Sequence, residues 1–242
     1  MPYRKQPFET GKIYHVVTRS LDNNLLFKNT NDYYRGIFSI YEFNTTKAIK
    51  IRERRKARVK EKQIIKNTDP TCVTIDAIDK RDLLVEIIAF CLMPNHIHLL
   101  LRQTKKDGIV KFMAKFGSGY ASYFNKKYGR KGYVFQNRFR SVEIKNNEQL
   151  KIVFAYIHIN PTSIIISNWK EEGIKDINKV LEFIENYKWS SYSDYLGKIN
   201  FPSVSNRKFI LELFGNKEKC KRFVDAWVRY KAKIKIEELF IE

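Results

Sequence analysis

The chain has 242 residues, and its 46 lysines and arginines against 26 aspartates and glutamates leave a formal charge of +20. With 43% hydrophobic and 14% aromatic residues it can pack a core, and so basic a balance points to a polyanion as partner, nucleic acid first. No membrane-spanning helix and no signal peptide are expected, because no apolar run reaches spanning length and Met1-Pro2-Tyr3-Arg4-Lys5 leads into no apolar signal region. No membrane partner is expected, and the expected location is the cytoplasm, with the nucleoid. Cys72, Cys91 and Cys220 lie far apart without C-x-x-C spacing, which excludes a zinc finger or disulfide frame and indicates reduced thiols.

In chain order, Tyr3-Arg4-Lys5-Gln6-Pro7 is a basic arm with an aromatic, either a frayed terminus or an arm for a groove or unpaired bases. Ile13-Tyr14-His15-Val16-Val17-Thr18-Arg19 reads as a first strand, with His15 an ordinary sheet residue. A helix is predicted from about Asn31-Asp32, with Tyr34, Ile37, Phe38 and Tyr41 at helical spacing. Residues 47–66 become strongly basic with mixed signs, as in an exposed charged helix or an insertion, and Asn67-Thr68-Asp69-Pro70 closes them as a loop.

The centre of the chain is its least polar part. Leu83-Leu84-Val85-Glu86-Ile87-Ile88-Ala89-Phe90-Cys91-Leu92 reads as a buried strand, Pro94-Asn95 as a tight turn, and residues 96–102 as the return strand. Alternation puts His96 and His98 on one face of that strand and Ile97, Leu99 and Leu101 on the other. Two imidazoles side by side are the start of a divalent-metal site, although a His-x-His pair alone also suits two ordinary sheet histidines. The chain holds only four histidines, and two of them stand here.

After Gly108, the stripe Ile109, Phe112, Met113, Phe116, Tyr120, Tyr123 and Phe124 predicts an amphipathic helix that ends at Gly129-Arg130-Lys131-Gly132. Residues 133–144 then alternate aromatics and arginines in a strand-like run, suited to stacking bases and gripping phosphates or to an ordinary edge strand. A further helix is expected with Asn147 as its cap and Leu150, Val153, Phe154 and Ile157 on its buried face. Tyr156 and Asn160 lie one turn apart on the margin of that face, His158 points away from it, and Asn160-Pro161 is expected to disturb or end the helix. Trp189-Ser190-Ser191-Tyr192 falls in a polar loop region, and two basic amphipathic helices follow from about Asn206. The order of elements predicts an α+β fold: a ferredoxin-like antiparallel sheet with helices on one face, plus a C-terminal helical extension.

At this point the residues resemble a known family. Met93-Pro94-Asn95-His96-Ile97-His98-Leu99-Leu100 is similar to the histidine-hydrophobe-histidine signature of the HUH superfamily of single-strand DNA nucleases. Phe135-Gln136-Asn137-Arg138-Phe139, Tyr156-Ile157-His158-Ile159-Asn160-Pro161 and Trp189-Ser190-Ser191-Tyr192 resemble companion motifs of its single-tyrosine transposases, above all the REP-associated tyrosine transposases. The resemblance runs over about residues 3–195. It implies that His96, His98 and Asn160 hold Mg²⁺ or Mn²⁺ and that Tyr156 is the nucleophile, forming a 5′-phosphotyrosine link and freeing a 3′-OH. It implies single-stranded or hairpin DNA as partner, with Tyr3, Arg4, Lys5, Arg19, Gln136, Arg138 and Arg140 along it, and a monomer, with a dimer as the variant. The domains expected are 1–200, catalytic, with a basic insertion at about 47–70, and 201–242, a basic helical extension.

The chemistry is coherent in itself, since tyrosine needs deprotonation and a polarised phosphate before it attacks, and a phosphotyrosine conserves the bond energy for rejoining. Tyr120 and Tyr123 are rival nucleophiles that the apolar stripe assigns to the core. Three other readings compete. One is a non-catalytic regulator that binds hairpin DNA. Another is a metal-dependent RNA nuclease or phosphodiesterase using water, which a second His-x-Thr or His-x-Ser motif would favour; none occurs. The third, an unrelated α+β protein with chance histidines, needs four motifs to coincide.

Overall fold

The computed structural model describes residues 7–49, 51, 53–54, 56, 81–136, 138–169 and 173–233. Its centre is one antiparallel sheet of four strands, β1 (Ile13–Arg19), β2 (Val85–Met93), β3 (His96–Gln103) and β4 (Arg140–Ile144), in the order β2-β3-β1-β4. Helix α1 (Thr30–Glu42) joins β1 to β2, and α2 (Gly108–Tyr128) joins β3 to β4. This βαββαβ path with two central strands, β3 and β1, is the ferredoxin-like α+β arrangement predicted from the pattern.

Strand alternation decides what each sheet face meets. Tyr14, Val16, Phe90, Leu92, Ile97, Leu99 and Leu101 share a core with Ile37 and Ile40 of α1 and with Ile109, Phe112, Phe116 and Tyr120 of α2. The opposite face, carrying Cys91, Met93 and Leu100, packs against α3 (Asn147–Ile159), so helices cover this side of the sheet as well. A bulge between Ile87 and Ala89 turns both Ile88 and Ala89 to the α3 side. Helices α4 (Thr162–Ile165), α5 (Ile177–Asn186), α6 (Tyr192–Tyr195), α7 (Lys208–Phe214) and α8 (Lys217–Lys233) follow. Val180, Ile184, Tyr195, Ile210, Phe214, Val224 and Val228 extend the same core, so the C-terminal helices and α3 share one apolar interior.

Helix ends follow local chemistry. Asn29 caps α1 by accepting from the Asp32 amide, two residues before the expected start, and Asn146, not Asn147, caps α3 by accepting from the Gln149 amide. Gly129, at φ 61°, closes α2 in the left-handed conformation glycine adopts without cost. Asp32 is fully buried at the start of α1 and ties it to α2, accepting from the Tyr123 and Tyr128 hydroxyls at 2.8 and 2.6 Å and from Lys127 Nζ at 2.5 Å. Burial opposes its charge, but the bonds from Lys127, Tyr128, Tyr123 and the Lys28 amide outweigh that and hold the carboxyl below its ordinary range.

Two expectations on local structure are corrected. The run 133–144 is not one strand: Phe135 makes a single bridge to Ser20, and the ladder begins only at Arg140. Trp189-Ser190-Ser191-Tyr192 is not a polar loop but the seal on the outer edge of β2. Leu92 N donates to the Trp189 carbonyl at 2.8 Å and Ser191 N to the Phe90 carbonyl at 3.0 Å, while the Tyr187 and Tyr195 hydroxyls take the carbonyls of Leu92 and Ile88. Among the described residues no helix is long and apolar enough to cross a membrane. The arm Tyr3-Arg4-Lys5 and most of 47–70, all but 47–49, 51, 53–54 and 56, lie outside the described residues.

Candidate active site

The site stands on the sheet face that α3 covers. In antiparallel pairing, directly opposed residues point to the same side, and the register opposes Met93 to His96 and His96 to Arg19. The next row on that face is Cys91, His98, Val17 and Arg140, one residue from each of the four strands. His96, His98, Arg19 and Arg140 therefore come together by strand pairing, although Arg140 is far from the others in sequence.

His15 joins them, and the expectation that it is an ordinary sheet residue is corrected. It opposes Leu100, so it meets His98 diagonally across β1 and β3. The rings are nearly parallel, 10° apart with centroids at 5.2 Å, and His15 Nε2 lies 3.0 Å from His98 Nδ1. Both are buried, at 1% and 2% exposure, and burial pushes the His15 imidazole down to about 4, so it is neutral near pH 7. Alternation in Ile13–Arg19 already put His15 and Arg19 on one face; only the register against β3 could show that His98 lies there too.

Tyr156 projects from α3 onto this pair. Its ring stands edge-on to both histidines, with centroids 5.9 Å from His15 and 5.7 Å from His98. A shallow cleft is lined by Tyr156, His15, His98, Arg19, Arg140 and Ser141, among others. The rival tyrosines are accounted for otherwise: Tyr120 is buried with its hydroxyl on the Leu26 carbonyl, and Tyr123 is engaged by Asp32.

Of the remaining DNA-facing candidates, Gln136 is held beside the site by its backbone, its amide donating to the Arg19 carbonyl at 2.9 Å, and its side chain is exposed. Arg138 is exposed on the segment leading into β4 and is not among the residues lining the cleft.

As metal ligands, His96 and His98 fit in their chemistry. Their rings are 4.8 Å apart, and each has its Nδ1 engaged, His96 with Asn95 Oδ1 at 2.6 Å and His98 with His15. Engaging Nδ1 directs each ring to ligate through Nε2, the arrangement in which an outer partner orients a ligand imidazole. Among the described residues no group of three or more His, Cys, Asp or Glu side chains is arranged to hold a metal ion.

Asn160 is a 5%-exposed residue at the C-cap of α3, which ends at Ile159 as the proline after Asn160 predicts, although Asn160 itself keeps αR geometry at φ −47° and ψ −37°. Asn160 N still donates to the Tyr156 carbonyl at 3.1 Å, and Pro161 opens the next helical turn, where its missing N–H costs nothing. The Asn160 side-chain nitrogen also donates to the Tyr156 carbonyl, at 3.1 Å, which leaves the amide oxygen as the atom it could offer to a cation.

His158 does not point away from the core. It is fully buried, its Nε2 lies 2.8 Å from Ser191 Oγ, and burial pushes its imidazole down to about 3. Ser191 Oγ also accepts from the Phe90 amide at 3.1 Å, so one hydroxyl links α3 to the outer edge of β2.

Residues 56–160 match a family model described as Transposase IS200 like. Among solved structures, a REP-associated tyrosine transposase bound to a REP hairpin is similar at 14% identity and a TM-score of 0.45, over 85% of this chain and 91% of that one. No curated protein matches.

Proposed function

Taking as premise that residues 56–160 are of the IS200-like transposase kind, we propose that the protein is a metal-dependent, single-strand DNA endonuclease and strand transferase acting on hairpin-containing repeats. The observation that carries this reading is the single cleft in which Tyr156, His98, Arg19 and Arg140 meet.

The Tyr156 hydroxyl attacks the scissile phosphorus, and the Tyr156 O–P bond forms as the P–O3′ bond breaks. The tyrosine proton is released, the leaving O3′ takes one up, and the products are a 5′-phosphotyrosine and a free 3′-OH. Rejoining runs the same exchange backwards with a new 3′-OH, so no nucleotide cofactor enters. A bound Mg²⁺ or Mn²⁺ supplies charge neutralisation and orientation at the scissile phosphate. His96 and His98 would hold it, with the Asn160 side-chain oxygen as third ligand.

Arg19 and Arg140 hold the phosphates flanking the cut, and Gln136 and Arg138 continue that track on the segment leading into β4. The arm Tyr3, Arg4 and Lys5 reads the flanking sequence. Tyr156 meets His98 within one chain, which supports a monomer acting in cis.

The test is incubation of wild type and Tyr156→Phe with labelled hairpin DNA and Mn²⁺, followed by a denaturing protein gel. A labelled band at protein mass, absent in the variant and absent with chelator, is the expected result. Cutting without a covalent band would assign the attack to water, and binding with neither would leave a hairpin-binding regulator.

A further inference from the structure

We propose that His15 is a positioning residue for the metal centre: it holds the His98 proton on Nδ1 and so aims the His98 Nε2 lone pair at the cation. The proposal rests on the reading of His98 as a ligand, and adds a residue that none of the sequence motifs contains.

The contact is built into the backbone. The register sets Val17 against His98 and His15 against Leu100, so the diagonal His15–His98 pair exists wherever β1 and β3 pair correctly. The 3.0 Å approach of His15 Nε2 to His98 Nδ1 requires one of these nitrogens to donate and the other to accept. If His98 binds a cation through Nε2, its proton stands on Nδ1, and His15 Nε2 is then the acceptor.

His96 repeats this arrangement with a different partner. Its Nδ1 lies 2.6 Å from Asn95 Oδ1, an oxygen that only accepts. Two adjacent imidazoles thus have their Nδ1 atoms engaged by two unrelated elements, one by the turn before β3 and the other by β1. That coincidence is what a ligand pair needs, because an imidazole turning about its bond to Cβ loses its aim. The near-parallel His15 and His98 rings also form the floor beneath Tyr156, which stands at 81° and 88° to them. A single buried residue therefore bears on both the ligand and the nucleophile.

The test uses the full chain and reads metal binding without DNA. In ¹⁵N-histidine spectra of the metal-free wild type, His98 is expected as the Nδ1–H tautomer; finding it as Nε2–H would overturn the proposal without any substitution. In calorimetric titration with Mn²⁺, His15→Ala is expected to weaken binding by about 10–100-fold. His15→Gln, whose amide oxygen can accept from His98 Nδ1, should bind more tightly than His15→Ala, a recovery that a merely space-filling role would not give. His98→Ala separates the two levels of the argument. If it leaves Mn²⁺ affinity unchanged, the metal reading and the proposal fall together. If it abolishes binding while folded His15→Ala and His15→Gln both bind as wild type does, the positioning role alone is overturned.

Discussion

Ser191→Ala removes one hydroxyl and leaves two buried groups without their bond. Phe90 N, at the sealed edge of β2, loses its acceptor at 3.1 Å, and His158 Nε2 on α3 loses its partner at 2.8 Å. All three residues are fully buried, so water does not replace the bonds without opening the packing. An orphaned buried polar group costs about 1–3 kcal/mol, and two of them, with partial relaxation, put the loss at about 2–4 kcal/mol. For a chain of this size that corresponds to a fall in melting temperature of roughly 5–15 °C. Urea unfolding of wild type and variant, followed by far-UV circular dichroism, gives the free-energy difference, and thermal melts give the second figure. A loss no larger than that of a surface substitution, about 0.5 kcal/mol or less, would refute the assignment of Ser191 as the link between α3 and β2.

Three further outcomes are expected. A Cβ on Gly119 would sit 2.1 Å from the Phe43 ring whereas one on Gly117 meets nothing within 4 Å, so Gly119→Ala should lose about 1–3 kcal/mol and Gly117→Ala should gain up to about 1 kcal/mol in the same urea assay. The Asp32 carboxyl is held below its ordinary value of 3.8, so its contribution is complete above that value and is lost as pH falls through and below it. Urea midpoints of Asp32→Asn should therefore lie well below wild type at pH 7 and draw closer to it as the pH approaches 3. Arg140→Ala should weaken binding of single-stranded hairpin DNA and reduce the slope of log K against log salt by about 0.7–0.9, measured by fluorescence anisotropy over a salt series.

The elements that local pattern controls were legible. The alternation of β3, the turn at Pro94-Asn95, the stripe of α2 and its end at Gly129 all depend on neighbours within a few residues, and the structure has each where the pattern put it. The shared face of His96 and His98 is of the same kind. His15 was not legible, because its partner is set by strand register, a relation between residues 83 positions apart. The Trp189-Ser190-Ser191-Tyr192 stretch looked polar because serines read as loop residues, yet their hydroxyls and amides serve a strand edge about a hundred positions upstream. His158 was misplaced for the same reason, since a helical wheel finds one buried face and α3 has its histidine buried by a second layer. At Asn160 the local rule against αR before proline lost to an intact hydrogen bond and a following helical turn.

The common interior of α3 and the C-terminal helices has a consequence for the transposase-like region itself. The match ends at residue 160, but the bonds that close the outer strand and hold the tyrosine helix come from residues 187–206. Matched region and scaffold are thus separable on paper and inseparable in the molecule. A chain stopped after residue 160 would carry every residue of the proposed chemistry yet expose one flank of its sheet and the side of α3 that meets the C-terminal helices, and would be recovered as aggregate, not as a minimal nuclease.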